Sequence, residues 1–371
     1  MNEKERILKL VEDGTLSAKE AITLLEKLEE SPSVSLEKST TDHTFHEEKA
    51  GTESKGTGTE NLGAKLFGWL DSAVKKVKDV DLDLNFGQSV DVEHIFQFKD
   101  ASLTHLDIQL ANGSLNLMPW DDGNLMPWDD GDIRAECHAK IYRAEDGEQA
   151  RQQFLNQLDC GLEGDKFFIR TEKKTMKVNV TLYVPRIQYD KIKVKLFNGP
   201  IRGEKLKTKE LAAKTTNGVV SFASLQAEKV GIETANGQIK LADHECGMIE
   251  VETINGLIDL RGKSESIDAQ SFNGNIAVQL SDEKCRSIYA KTTTGSVDVQ
   301  IPRACAVTAE LKSNLGSISH DLLDAEMIKE KNETLQKEKM IKANQQAVNS
   351  ISIFAETKTG SIQVKHQSDK E

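Results

Sequence analysis

Phe197-Asn198-Gly199-Pro200-Ile201 is followed by Thr216-Asn217-Gly218-Val219-Val220, Ala235-Asn236-Gly237-Gln238-Ile239, Ile254-Asn255-Gly256-Leu257-Ile258 and Phe272-Asn273-Gly274-Asn275-Ile276. Weaker copies stand at Thr294-Gly295-Ser296-Val297, Leu315-Gly316-Ser317-Ile318 and Thr359-Gly360-Ser361-Ile362, and an isolated one at Ala111-Asn112-Gly113-Ser114-Leu115. From Gly199 to Gly316 the glycines are spaced 19, 19, 19, 18, 21 and 21 residues. A fixed period of this size marks a repeat architecture. Apolar residues alternate on both sides of each turn, as in Ile232 and Thr234, then Ile239 and Leu241. Alternation is the signature of strands, and Asn-Gly supplies a turn in which positive φ is cheap.

Two architectures produce this pattern. Asn-Gly between alternating runs is also a hairpin signal and predicts an antiparallel meander. A constant period with the same residue at the same point favours one coil per repeat, because stacked coils place equivalent turns above one another. The expected fold is therefore mainly β, a single-chain β-solenoid of coils of about 19–21 residues over 80–371. The 44 residues from Gly316 to Gly360 exceed one period. Their charged, helix-prone stretch at about 324–344 reads as an inserted helix or long loop.

Aromatic residues are only 5% of the chain and 29% are charged, so the core must come from Ile, Val and Leu, which pack well on a pleated surface. The net charge of -12 excludes nucleic acid as a general partner and repels anionic lipid except at a local basic patch. Cys137, Cys160, Cys246, Cys285 and Cys305 are odd in number and never form a C-x-x-C pair, which argues for reduced thiols rather than a disulfide framework or structural zinc.

N-terminal to the repeats, residues 3–30 read as a helical hairpin. Ile7, Leu8, Leu10 and Val11 line the first helix, which stops near Asp13-Gly14. Ser17 and Glu20 form a capping box for the second, whose apolar face is Ala21, Ile22, Leu24, Leu25 and Leu28. Two short helices bury little surface, so this unit calls for a protein partner or a copy of itself. Residues 31–60 have the composition of a flexible linker. Over 61–79, Leu62, Leu66, Trp69, Leu70 and Val74 share one side of an amphipathic helix, with Lys75, Lys76 and Lys78 outside it. That helix either lies on a membrane surface or caps the open end of the solenoid. The N-terminus lacks a signal-peptide apolar region and no window of 18 apolar residues occurs, so the expected location is cytoplasmic or peripheral at the membrane, with surface exposure requiring another route.

Asn116 to Gly123, Asn-Leu-Met-Pro-Trp-Asp-Asp-Gly, is repeated without change at 124–131. Asp121, Asp122, Asp129 and Asp130 raise the question of calcium. Hard-cation loops space their oxygens at alternate positions, which these pairs do not, so a Pro-Trp turn made twice is the plainer reading. There is no G-x-S-x-G, P-loop, G-x-G-x-x-G or H-E-x-x-H motif, and no cofactor, metal site or catalytic set is expected.

The Asn-Gly-x-Ile repeats from Asn198 to Gly360, preceded by Tyr183-Val184-Pro185, resemble the bacterial putative-adhesin family of unknown function. The segment from Leu10 to Ser17 and the helix after it resemble the short helical hairpin that often precedes that fold. With Asn116 to Gly123 between them, the combination is similar to the YvlB/LiaX-like group of Gram-positive proteins, although the exact double copy at 116–131 departs from the single copy expected. The resemblance implies a β-solenoid and a non-enzymatic role in the cell envelope stress response to membrane-active antimicrobials. It transfers no catalytic residues. Two other classes stay open at this point: a surface adhesin for polysaccharide or peptide, and a solenoid carbohydrate-active enzyme.

Overall fold

The computed structural model describes residues 89–99, 103–120, 131–333 and 336–367, all within a compact unit spanning Leu82–Glu371. The repeats pair in parallel, not antiparallel. Lys207–Asn217 pairs with Gln188–Asn198 on one side and Gln226–Asn236 on the other, and the pattern continues into Ile239–Asn255 and Ile258–Asn273. Each coil has a long limb ending at the Asn-Gly turn and a short limb after it, such as Val220–Ala223 stacked between Ile201–Glu204 and Ile239 to Ala242. The repeats therefore build a solenoid with a long face and a short face.

The interior follows from the alternation. Ile192, Leu211, Val230 and Ile249 stack in register under the long face, while Ile201, Val220, Ile239 and Ile258 stack under the short one, and all are fully buried. Each such side chain contributes roughly 1.5–3 kcal/mol on burial. Gly203 opens the one gap that the Phe222 ring needs: a Cβ there would meet the ring at 2.5 Å.

Spatial order departs from chain order at both ends. The strand His105–Pro119 forms a whole coil and stacks on the coil 188–204, but its other side is covered by the later coil 166–184. At the far end, Asn349–Thr359 lies between Ser287–Thr294 and Cys305–Ser313, so the last coil in sequence is the second to last in space. A terminal coil that would otherwise fray is thus held by neighbours on both sides.

Antiparallel strands finish each end, which blunts the exposed edges of a parallel stack. Ile133–Tyr142 pairs with Met176–Val184 and carries Ser89–Phe98 outside it, while Asp159–Glu163 covers Lys166–Thr171. The helix Gly147–Gln157, α1, closes the core there. Its N-cap Asp146 accepts a 2.8 Å bond from the Gln149 amide, and it buries Ala150 and Phe154, the latter beside His94 and Phe96. No periodicity in the sequence reading pointed to this helix. The segment at 324–344 is a correction in the other direction. It is a hairpin, Glu326–Glu333 with Gln336–Ala343, extending the long face from Cys305–Ser313. Its run of alternating Lys and Glu pairs across strands (Lys329 with Glu338, Lys339 with Glu330) in place of the expected inserted helix or long loop.

The glycines of the turns also act differently from the expectation. Positive φ occurs at Gly113, Gly199, Gly295 and Gly360, but Gly218, Gly237, Gly256 and Gly274 do not share it. What all of them share is contact: a Cβ on Gly237 would stand 1.8 Å from the carbonyl oxygen of Gly218, and one on Gly256 equally close to that of Gly237. Glycine is required there because backbone lies directly on backbone. Gly237→Ala is expected to destabilise the fold by about 3 kcal/mol, the cost of an overpacked rigid site. Gly147→Ala, with nothing within 4 Å of the new methyl, is expected to be neutral or slightly stabilising. Urea unfolding of the two variants beside the parent chain measures the difference.

Candidate binding face

At the Asn-Gly edge the asparagines form a ladder. Asn198, Asn217, Asn236, Asn255 and Asn273 each donate from Nδ2 to Oδ1 of the asparagine one coil below, beginning at Asn112, over distances of 2.7–3.0 Å. A second ladder runs just inside it. The hydroxyls of Thr215, Thr234, Thr253, Ser271 and Thr292 donate to the carbonyls of Gly199, Gly218, Gly237, Gly256 and Gly274. These hydroxyls were not singled out from sequence, although the T-x-N-G spacing carries them. At the last coil Lys337 Nζ donates to Gly316 O at 2.7 Å, so the final carbonyl of the row is also satisfied. The repeat turns named from sequence are brought together as one edge, fully engaged with one another.

The long face beside this edge is an open sheet whose outward residues align in rows across coils. One row runs Asp107, Lys193, Ala212, Gly231, Glu250, Asp268, and the next runs Gln109, Lys195, Lys214, Glu233, Glu252, Gln270. Between the registered residues Leu110, Leu196, Thr215, Thr234, Thr253 and Ser271 and the asparagines lie, one per coil, Ala111, Phe197, Thr216, Ala235, Ile254 and Phe272, with both alanines buried and Phe272 about half exposed. Charge is segregated along these rows. Lys191, Lys193, Lys195, Lys207, Lys209 and Lys214 outnumber Asp190 and Glu210 on two adjacent coils, whereas Glu233, Glu250, Glu252 and Asp268 outnumber Lys229 on the next three. Some charges pair across coils, as Lys191 with Glu210 at 2.7 Å and Lys229 with Glu250 at 3.4 Å. Further along, Tyr289 and Phe354 stack at 5.0 Å, extending the face as an aromatic step.

At the N-terminal side of the face Asp107 is 8% exposed and is held by Gln109, Lys166 and Arg170 at 3.0–3.2 Å. Burial pushes its carboxyl up, but the bonds from those three side chains outweigh it and hold it below the usual range. Arg170 in turn lies over the Phe168 ring at 4.6 Å. These groups are locked in place by their neighbours, which makes the basic end of the face rigid.

On the side of the stack away from the asparagines, Glu228, Glu245, Met248, Lys263, Asp282 and Lys284 line an open groove of about 530 Å³. Behind it His244 is almost fully buried, with Nε2 2.9 Å from Ser264 Oγ and Nδ1 without a partner. Burial lowers its pKa, so the neutral imidazole is the folded form. All five thiols are free. Burial pushes those of Cys137, Cys246 and Cys285 up to about 12, far from a reactive thiolate. Among the described residues no group of three or more His, Cys, Asp or Glu is arranged to hold a metal ion, and no helix is long and apolar enough to cross a membrane. Leu62, Leu66, Trp69, Leu70, Val74, Lys75, Lys76 and Lys78, the hairpin at 3–30 and the carboxylates Asp121, Asp122, Asp129 and Asp130 lie outside the described residues.

Residues 154–365 match the Toastrack DUF4097 family. The chain belongs to the Toastrack family. That match runs from α1 through the last coil, so the Toastrack unit includes the interleaved final coil and the hairpin. Residues 2–33 match the SHOCT-like domain, in the place of the expected helical hairpin. The chain is 63% identical over 367 residues to the uncharacterized protein YvlB of Bacillus subtilis (strain 168), covering 98% of each. Solved structures of a putative adhesin from Bacteroides fragilis and a putative cell adhesion protein from Clostridium sporogenes align at 13% and 12% identity, with TM-scores of 0.41 and 0.25. They cover 74% and 75% of this chain and 97% and 100% of their own. For this Toastrack chain the solenoid is established by the strand register itself.

The buried imidazole makes stability depend on pH. The unfolded chain binds a proton at the ordinary value of 6.5 whereas the folded chain resists it, so protons favour unfolding as pH falls through that value. Stability of the parent chain is expected to decline below pH 6.5, and His244→Gln to flatten that part of the profile. Chemical unfolding at a series of pH values reads both slopes.

Proposed function

We propose that the chain is a non-enzymatic binding and scaffolding protein of the bacterial cell envelope stress response, acting through the long face of its solenoid. The observation that carries this reading is the face itself: a broad, registered sheet whose side chains are organised in rows over many coils. Catalysis needs groups converging on one reacting atom. Here the carboxylates instead pair laterally with lysines on neighbouring coils, as Lys214 does with Glu233 and Lys291 with Glu356. Such a surface suits recognition by an extended partner, where many modest contacts add up. The SHOCT-like segment at 2–33 supplies a second attachment point for a protein, and the lysine-flanked Trp69 segment a point of contact with lipid. The envelope role draws on the resemblance of the repeats to the YvlB/LiaX-like group, to which the 63% identity to the uncharacterized protein YvlB is suited.

Cells lacking the chain are expected to become more sensitive to a cationic membrane-active peptide, with survival restored by the parent sequence. Unchanged survival across a dose series, with the protein shown to be expressed beforehand, would overturn the envelope role. Cleavage of a cell-wall glycan by the purified chain would overturn the non-enzymatic reading.

A further inference from the structure

We infer that the long face is self-complementary and docks a second copy of this chain face to face with the coil order reversed. This rests on the reading of that face as the interaction surface and names its occupant. The argument comes from register. Take a two-fold axis lying in the face, parallel to the strands and midway between Lys207–Asn217 and Gln226–Asn236. Rotation about it preserves position along the strand but exchanges coils equidistant from the axis. The strand Gln188–Asn198 then faces the long limb that ends at Asn255 in the second copy.

Residues at the same height meet. Lys193 meets Glu250, Lys195 meets Glu252 and Phe197 meets Ile254, since each pair shares a row of the register. Nearest the axis, Thr216 meets Ala235, two small side chains that permit close approach, and one coil further out Ala111 meets Phe272. Every contact occurs twice because the interface is isologous. A two-fold axis along the stack would instead place the lysine block on itself, so charge selects the reversed orientation.

Size is adequate as well. Six coils about 4.8 Å apart and four outward rows about 6.7 Å apart, the three described and the one through Lys191, Glu210 and Lys229, give on the order of 800 Å² per copy, within the range of stable interfaces. A polyanionic partner would gain from the lysine block but be repelled by the carboxylates on the next coils. A second copy opposes lysines to carboxylates in both halves at once; the like-charged meeting in the same row, Asp107 with Asp268, involves a carboxylate already bonded by Lys166 and Arg170.

Sedimentation equilibrium of the full chain tests this. A dimer is expected at about 0.05 M salt, with its dissociation constant rising at least about tenfold by 1 M, where screening is nearly complete. Lys193→Glu with Lys195→Glu sets carboxylates against Glu250 and Glu252 of the second copy, and Glu250→Lys with Glu252→Lys sets lysines against Lys193 and Lys195. Each variant alone is expected to be monomeric with unchanged circular dichroism, and an equimolar mixture to form the heterodimer. A monomeric parent chain, variants that still dimerise, or a mixture that stays monomeric would each overturn the docking. None of these outcomes bears on survival of stressed cells, so this inference and the envelope reading fail separately.

Discussion

Backbone resting on backbone at the Asn-Gly turn is the constraint on which the structure depends. From Gly199 to Gly256 each turn glycine sits against the carbonyl of the glycine one coil below, and its amide bonds the asparagine carbonyl of the coil above, as Gly218 N does to Asn236 O at 3.0 Å. Such contact leaves no room for a side chain and fixes the vertical spacing at the edge to that of a β-ladder. Once that spacing is set, the asparagine and threonine ladders come within bonding distance on either side of it. The isoleucines and valines of successive coils are brought into van der Waals contact at the same rise. Core, edge and face are three consequences of one packing distance.

The same constraint explains why the ends need special treatment. A stack of identical coils has two open ends, each exposing apolar core and unpaired backbone. This chain changes the order of its coils at both ends and adds antiparallel strands outside them, with α1 over the core at one end. Lys337 provides a small-scale counterpart, donating a charged bond to the last glycine carbonyl, which no further coil covers. Such termination limits the solenoid to its own length and leaves the lateral faces as the surfaces open to partners.

How much was legible in the sequence follows from what is local and what is not. The period of the glycines, the alternation of Ile232 with Ile239 and Leu241, and the choice of parallel coils over a meander depend on residues close together in the chain, and they read correctly. The position of Thr359-Gly360 between Thr294-Gly295 and Gly316 depends on a connection made through space, and no local spacing encodes it. The hairpin at 326–343 was misread because Lys and Glu have good helix propensity, while their cross-strand ion pairs exist only once a sheet edge is there to receive them. The turns were visible as motifs, but the face was not. Lys193, Ala212, Gly231 and Glu250 form a row only after the register is known.

That difference bears on where function resides in a repeat protein. The residues most visible in this sequence, Asn198 to Gly274 at the turns, spend their bonding capacity on one another and hold the stack together. Residues that vary from coil to coil are free of that duty, and it is among them that charge is segregated. Two coils rich in lysine followed by three rich in carboxylate are not demanded by the fold, since Ala212 and Gly231 occupy the same row without harm to the register. Like charges on adjacent strands cost stability through mutual repulsion. An arrangement that carries this cost in the isolated chain, in two blocks of opposite sign, finds its compensation in a partner bearing the complementary pattern.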